Sequence, residues 1–140
     1  MKVQEIMTRE IDVVSPETTL RDAAERMHAL DVGVLPVCEM DRLVGVITDR
    51  DITVRATADG LDPFATQVGE VMSRDNLIIC LEDEDVEVAT QRMRDHQVRR
   101  LPVLDRDQRL VGILALRDVA VPLENGETST ATLKPVSQPC

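Results

Sequence analysis

Aromatic residues are almost missing from this 140-residue chain, which has no Trp, no Tyr and a single Phe, Phe64. Proteins that grip single-stranded nucleic acid stack its bases on aromatic rings, so that mode of binding is excluded, and a purine held here must lie between aliphatic side chains. Positive charge is also scarce. Sixteen Lys and Arg stand against 26 Asp and Glu, a formal net charge of −10, and the resulting field repels nucleic-acid phosphate and anionic lipid. Neither nucleic acid nor a membrane is an expected partner. No run nears the roughly 18 apolar residues of a membrane span, and the opening Met1-Lys2-Val3-Gln4-Glu5 has no apolar stretch behind its charge, so a cytoplasmic location is expected. The three cysteines, Cys38, Cys80 and Cys140, are odd in number and too widely spaced for a disulfide framework or a CxxC metal knuckle. Cys38 and Cys80 read as small core residues and Cys140 as a free terminal thiol.

What is present is an ordinary globular composition, 43% hydrophobic and 30% charged, in a length that suits one domain or two very small ones. The chain repeats itself. Glu5-Ile6-Met7-Thr8-Arg9 returns as Glu70-Val71-Met72-Ser73-Arg74, Val32-Gly33-Val34-Leu35-Pro36-Val37 as Val98-Arg99-Arg100-Leu101-Pro102-Val103, and Arg42 to Ile52 as Arg109 to Val119. The offset grows from 65 at Met7/Met72, through 66 at Met27/Met93, to 67 at Gly45/Gly112, which two single-residue insertions in loops explain. A repeat of this kind must be found before any fold is assigned.

Each copy reads as strand, helix, strand, strand, helix. Asp12-Val13-Val14 and Leu77-Ile78-Ile79 are short β-branched runs suited to a buried strand. Leu20, Ala23, Ala24 and Met27 fall on one helix face, matched by Val86, Ala89, Thr90 and Met93, with Thr19 and Asp85 at the expected N-caps. The acidic run Glu82 to Asp85 then lies at a helix N-terminus, favoured by the dipole. A hairpin follows, Leu35 to Cys38 and Leu43 to Ile47 with a turn at Met40-Asp41, and then a short helix from Asp49 to about Ala56; the second copy repeats this at 101–104, 110–114 and 116 to about 123. The expected organisation is repeat 1 over 1–60, a linker over 61–67, repeat 2 over 68–123 and a disordered tail over 124–140. Units this small bury too little apolar surface alone, so the two are expected to pack sheet to sheet about a pseudo-twofold axis.

These motifs, in this order, resemble a tandem pair of CBS domains (a Bateman module) over roughly Val3 to Leu123. The elements that carry the resemblance are Val98-Arg99-Arg100-Leu101-Pro102-Val103 and Leu43-Val44-Gly45-Val46-Ile47-Thr48-Asp49-Arg50-Asp51-Ile52. Asp49 to Ile52 followed by Gly60-Leu61-Asp62-Pro63 is also similar to the small stand-alone bacterial group that includes the hypoxic response protein. The resemblance implies an α/β fold and an adenosine nucleotide bound in clefts between the repeats by a Gly-x-x-Thr/Ser-x-x-Asp motif, Asp on the ribose and the hydroxyl toward phosphate. Thr48 and Asp51 match it; Asp118 matches it in the second copy, where Ala115 replaces the hydroxyl. It further implies base contacts from Val14, Ser15, Val37, Cys80 and Val103; Arg99 and Arg100 are candidate phosphate clamps, and Arg50 is a further candidate ligand contact. Candidate ligands are AMP, ADP, ATP and S-adenosylmethionine, with no cofactor required, and the assembly implied is a homodimer acting on an unidentified effector protein.

Other readings compete with each of these. Thr48 and Asp51 are residue types that cap helices, arginine on an acidic protein often serves as an exposed ion-pair partner, and Met7, Met27, Met72 and Met93 suit a core. His28 and His96 have no partners at metal-ligand spacing and read as solvated helix-face residues. There is no Gly-x-Ser-x-Gly, P-loop or Cys paired with His, so an enzyme is not expected. A nucleotide-binding regulatory module is the leading expectation and a ligand-independent dimeric interaction or stress-response scaffold the alternative. The Thr48/Ala115 difference predicts tighter phosphate binding in the first copy.

Overall fold

The computed structural model describes residues 1–75 and 77–120; the expected tail, Cys140 and residues 121–123 of the last helix lie outside them. The described elements alternate helix and strand as a mixed α/β fold. Two compact units appear, and they do not follow the repeat boundaries. Among the described residues, one joins Met1–Ile11 to Ile78–Ala120, and the other is Asp12–Leu77. The first eleven residues of repeat 1, its head, thus complete the body of repeat 2, and the head of repeat 2 completes the body of repeat 1.

In the Asp12–Leu77 unit, helix α1 (Leu20–Leu30) begins where Thr19 Oγ1 accepts the Asp22 N–H at 3.2 Å, the expected N-cap. Leu20, Ala23 and Met27 are its buried face. Strands β1 (Val34–Glu39) and β2 (Arg42–Thr48) form an antiparallel hairpin. Its turn is at Met40 and Asp41, both with positive φ (52° and 68°), the pair of left-handed conformations that matches strand twist in a two-residue hairpin. The strand expected at Asp12-Val13-Val14 shrinks to one parallel bridge from Val14 to Val37. After β2 the chain enters a π-helical turn at Asp51–Thr57, near the helix expected from Asp49. Residues 61–67 do more than link: Pro63 and Thr66 carbonyls accept the Arg21 and Leu20 N–H groups at 3.1 and 3.0 Å, which the bare start of a helix requires. Helix α2 (Val68–Val71) follows, and Ser73 pairs with Val46 on the free side of β2. Val68, Val71 and Met72 join Val14, Leu20, Leu35, Val37 and Ile47 in one core.

The other unit repeats the plan. The expected strand at Leu77-Ile78-Ile79 forms slightly later, as β3 (Cys80–Leu81), parallel to β4 (Arg100–Leu104), which pairs antiparallel with β5 (Leu110–Ala115). Helix α3 (Val86–Asp95) packs Val86, Ala89, Thr90 and Met93 inward, and α4 (Leu116–Ala120) closes the described chain. Thr8 pairs with Ile113 on the free side of β5, and Val3 and Met7 enter a core with Cys80, Met93, Leu101 and Leu114. Asp85 takes the N-cap position of α3 without a side-chain capping bond; its carboxylate lies 3.5 Å from the Met1 amine. The acidic run serves to dock the head, because carbonyls of Glu82 and Glu84 accept the Gln4 and Val3 N–H groups at 2.9 Å each.

Candidate functional site

The strand-to-helix junction after each hairpin sets the candidate site. In the Asp12–Leu77 unit, Thr48 ends β2 and Asp51 lies three residues on. Each caps the other: Thr48 N–H donates to Asp51 Oδ2 and Asp51 N–H donates to Thr48 Oγ1, both at 3.0 Å. This reciprocal pair is the capping-box arrangement with Asp in place of Glu. The neighbouring donors are also used, Asp49 N–H by the Gly33 carbonyl at 2.9 Å and Arg50 N–H by Asp49 Oδ1 at 2.8 Å. Thr48 Oγ1 thus serves its own helix as an acceptor, a role that does not use its O–H as a donor. Asp51 is 6% exposed, and its carboxylate further accepts from Ser73 Oγ at 3.3 and 3.4 Å and lies 3.7 Å from Arg55 Nε.

The equivalent place in the other unit is more open. Asp118 is half-buried and accepts the Ala115 N–H at 3.1 Å. The methyl of Ala115 offers nothing to the Asp118 N–H. Arg100 pairs with Ala115 across the strands, and the Arg99 carbonyl accepts the Leu116 N–H at 2.9 Å. Arg99 and Arg100 stand where the first repeat has Gly33 and Val34, and Arg117 follows as the counterpart of Arg50 in the first, where Arg55 also lies beside Asp51.

The residues implied for base contact divide by unit. Val14 and Val37 are a parallel bridged pair, and Cys80 and Val103 are its counterpart. All four are at most 4% exposed, so their side chains belong to the cores. Ser15 turns inward locally, its N–H donating to Thr18 Oγ1 at 3.1 Å. Burial, aided by the Asp41 charge, pushes the Cys38 thiol up to about 11. Burial and then the Glu84 charge push Cys80 up to about 12, against a lowering by Arg92. Both are core thiols that stay protonated near neutrality. The four methionines at equivalent positions are core as well, and His28 and His96 are exposed. Among the described residues no three His, Cys, Asp or Glu side chains gather as metal ligands, and no helix is long and apolar enough to cross a membrane.

Sequence reasoning passed over Ser73 and Arg55, both of which face Asp51. The only available signal was the recurrence of Met-Thr-Arg as Met72-Ser73-Arg74, which marks Ser73 as repeated without saying what it touches.

A model of the CBS domain matches residues 3–56 and 68–123. The CBS domain-containing protein YhcV of Bacillus subtilis is 42% identical over 135 residues, 96% of this chain and 94% of that protein. Hypoxic response protein 1 of Mycobacterium tuberculosis is 39% identical over 118 residues, 84% of this chain and 81% of that protein. A crystal structure of hypoxic response protein I, described with two coordinated zinc ions, superposes with a TM-score of 0.77 at 36% identity, covering 88% of this chain and 99% of that one. CBSX2, a CBS-pair protein of Arabidopsis thaliana, in its complex with AMP gives a TM-score of 0.73 at 30% identity over 86% of this chain and 94% of that one. Two matched copies, with the same junction built twice, establish that this chain belongs to the CBS domain family as a CBS pair.

Proposed function

We propose that this CBS pair is a non-enzymatic regulatory module that binds an adenosine nucleotide, with Asp51 and Asp118 as ribose acceptors, and that it works as a homodimer on an effector protein. One observation carries the reading. The same carboxylate is fixed by the same strand-end N–H in both units, at 3.0 and 3.1 Å, although the hydroxyl half of the cap survives in only one. The carboxylate thus stands at the same strand end in both units, the place the motif gives to the ribose acceptor. The AMP complex of CBSX2 supports the ligand class. Within it, we favour the Asp118 junction for an anionic ligand, because Asp118 is more open and the backbones of Arg99, Arg100 and Arg117 flank the end of β5. Guanidinium groups grip phosphate in bidentate fashion.

A ligand-independent scaffold is favoured by the completeness of the Thr48–Asp51 cap. Calorimetric titration of nucleotide-stripped protein with AMP, ADP, ATP and S-adenosylmethionine separates the two. Nucleotide binding that Asp118→Ala weakens about ten- to hundredfold, the loss of charge-assisted hydrogen bonds, is the expected result. No binding of any of the four would favour the scaffold.

A further inference from the structure

The two units treat equivalent carboxylates unequally, and Ser73 is the reason. Asp51 is enclosed by donors from three directions: Thr48 N–H at 3.0 Å, Arg55 Nε at 3.7 Å, and the Ser73 hydroxyl, which spans both carboxylate oxygens at 3.3 and 3.4 Å. Ser73 is held there firmly by its backbone. Its N–H donates to the Val46 carbonyl at 2.9 Å, its carbonyl accepts the Val46 N–H at 3.0 Å, and a Cβ on Gly45 would come within 2.7 Å of that carbonyl. Thr8 holds the same place against Ile113, yet among the described residues its hydroxyl makes no bond to Asp118. The hydroxyl bond itself is loose. Both distances exceed the usual range of about 2.5–3.0 Å for O–H···O, and a serine hydroxyl rotates freely to other acceptors.

A ribose diol needs acceptor positions on the carboxylate, and at Asp51 the Ser73 hydroxyl, a single donor standing between the two oxygens, competes for one of them. We propose that Ser73 is an affinity-setting residue, an intramolecular competitor whose hydroxyl must leave Asp51 before a ribose can bind there. The Asp51 site is therefore the weaker of the two and fills after the Asp118 site. This rests on the nucleotide reading given above. The head of repeat 2 thereby sets the affinity of the carboxylate carried by repeat 1.

The test uses the full chain with Asp118→Ala, which leaves Asp51 as the ribose acceptor, and compares Ser73, Ser73→Ala and Ser73→Thr by calorimetry after thermal melts have shown each variant folded. Ser73→Ala is expected to bind AMP about three- to tenfold more tightly, the range of one net hydrogen bond. Affinity for 2′,3′-dideoxyadenosine monophosphate, which has no ribose hydroxyls to compete, is expected to stay unchanged. Ser73→Thr, which keeps a hydroxyl on the same backbone anchor, is expected to keep the AMP affinity of Ser73. Equal shifts for both ligands would show a merely structural effect and overturn the inference. So would unchanged or weaker AMP binding in Ser73→Ala, while leaving the Asp118 site standing. Absence of nucleotide binding to the parent chain would overturn both the inference and the function it rests on.

Discussion

Asp51 serves a helix at the position proposed for a ligand contact, and substitution separates the two roles. Thr48→Ala removes the acceptor for the Asp51 N–H and is expected to cost about 1 kcal/mol, read as a lower urea midpoint. Ala115→Thr supplies the acceptor that the Asp118 N–H lacks and is expected to stabilise the chain by a similar amount. A rise in affinity confined to phosphate-bearing ligands would show the new hydroxyl donating to phosphate as well, and no rise would leave it a helix cap alone. Asp51 and Asp118 were legible because the motif places them at fixed distances from a repeated Gly. Ser73 was not, since its bond to Asp51 spans 22 residues and nothing in a local pattern encodes which strand edge a returning segment will choose.

Elements meet here through backbone packed so closely that only glycine fits. A Cβ on Gly45 would lie 2.7 Å from the Ser73 carbonyl and 3.1 Å from Met72 Sδ; on Gly112 it would lie 2.7 Å from Met7 Sδ and 2.9 Å from the Thr8 carbonyl. Gly45→Ala and Gly112→Ala are each expected to cost about 1–3 kcal/mol. Faster amide exchange at Ser73 and Val46 in the first, and at Thr8 and Ile113 in the second, would locate the damage. The link from β3 to α3 depends on charge instead. Arg92 donates to both Glu84 oxygens at 3.1 and 2.9 Å and to the Ile79 carbonyl at 2.8 Å. Those hydrogen bonds foremost, against desolvation, hold the Glu84 carboxyl below its ordinary 4.5. A depressed carboxylate contributes stability that is complete above 4.5 and is lost as pH falls through the lower folded value. Glu84→Gln is therefore expected to be less stable than the parent at pH 7 and to show a shallower decline below pH 4.5, measured as urea midpoints across that range. Helix and hairpin periods made these elements readable from sequence. The first strand of each repeat was less so, because a run of β-branched residues fixes an extended conformation but not how many of its residues find a partner.

At the scale of the molecule, repeats and folding units part company. A head reads in sequence as the start of its own repeat, and the preference that sends it to the other body lies in tertiary packing: Val3 and Met7 bury themselves beside Cys80 and Leu114, and Val68 and Met72 beside Val14 and Ile47. Fragment 12–77 is accordingly expected to melt more cooperatively, by circular dichroism, than fragment 1–60, which cuts the repeat where sequence suggests. Removal of residues 1–11 is expected to destabilise the body of repeat 2 and spare that of repeat 1. Light scattering at micromolar concentration should give twice 15.6 kDa if the proposed homodimer forms, and a monomer there would refute it. The exchange of heads also orders events on the ribosome. The body of repeat 1 is complete once Ser73 has emerged, but Thr8 must wait for Ile113, and at about 5–20 residues per second that delay is roughly 5–20 s. Val3 and Met7 are thus made well before the body that buries them, and they stay uncovered apolar surface through that interval.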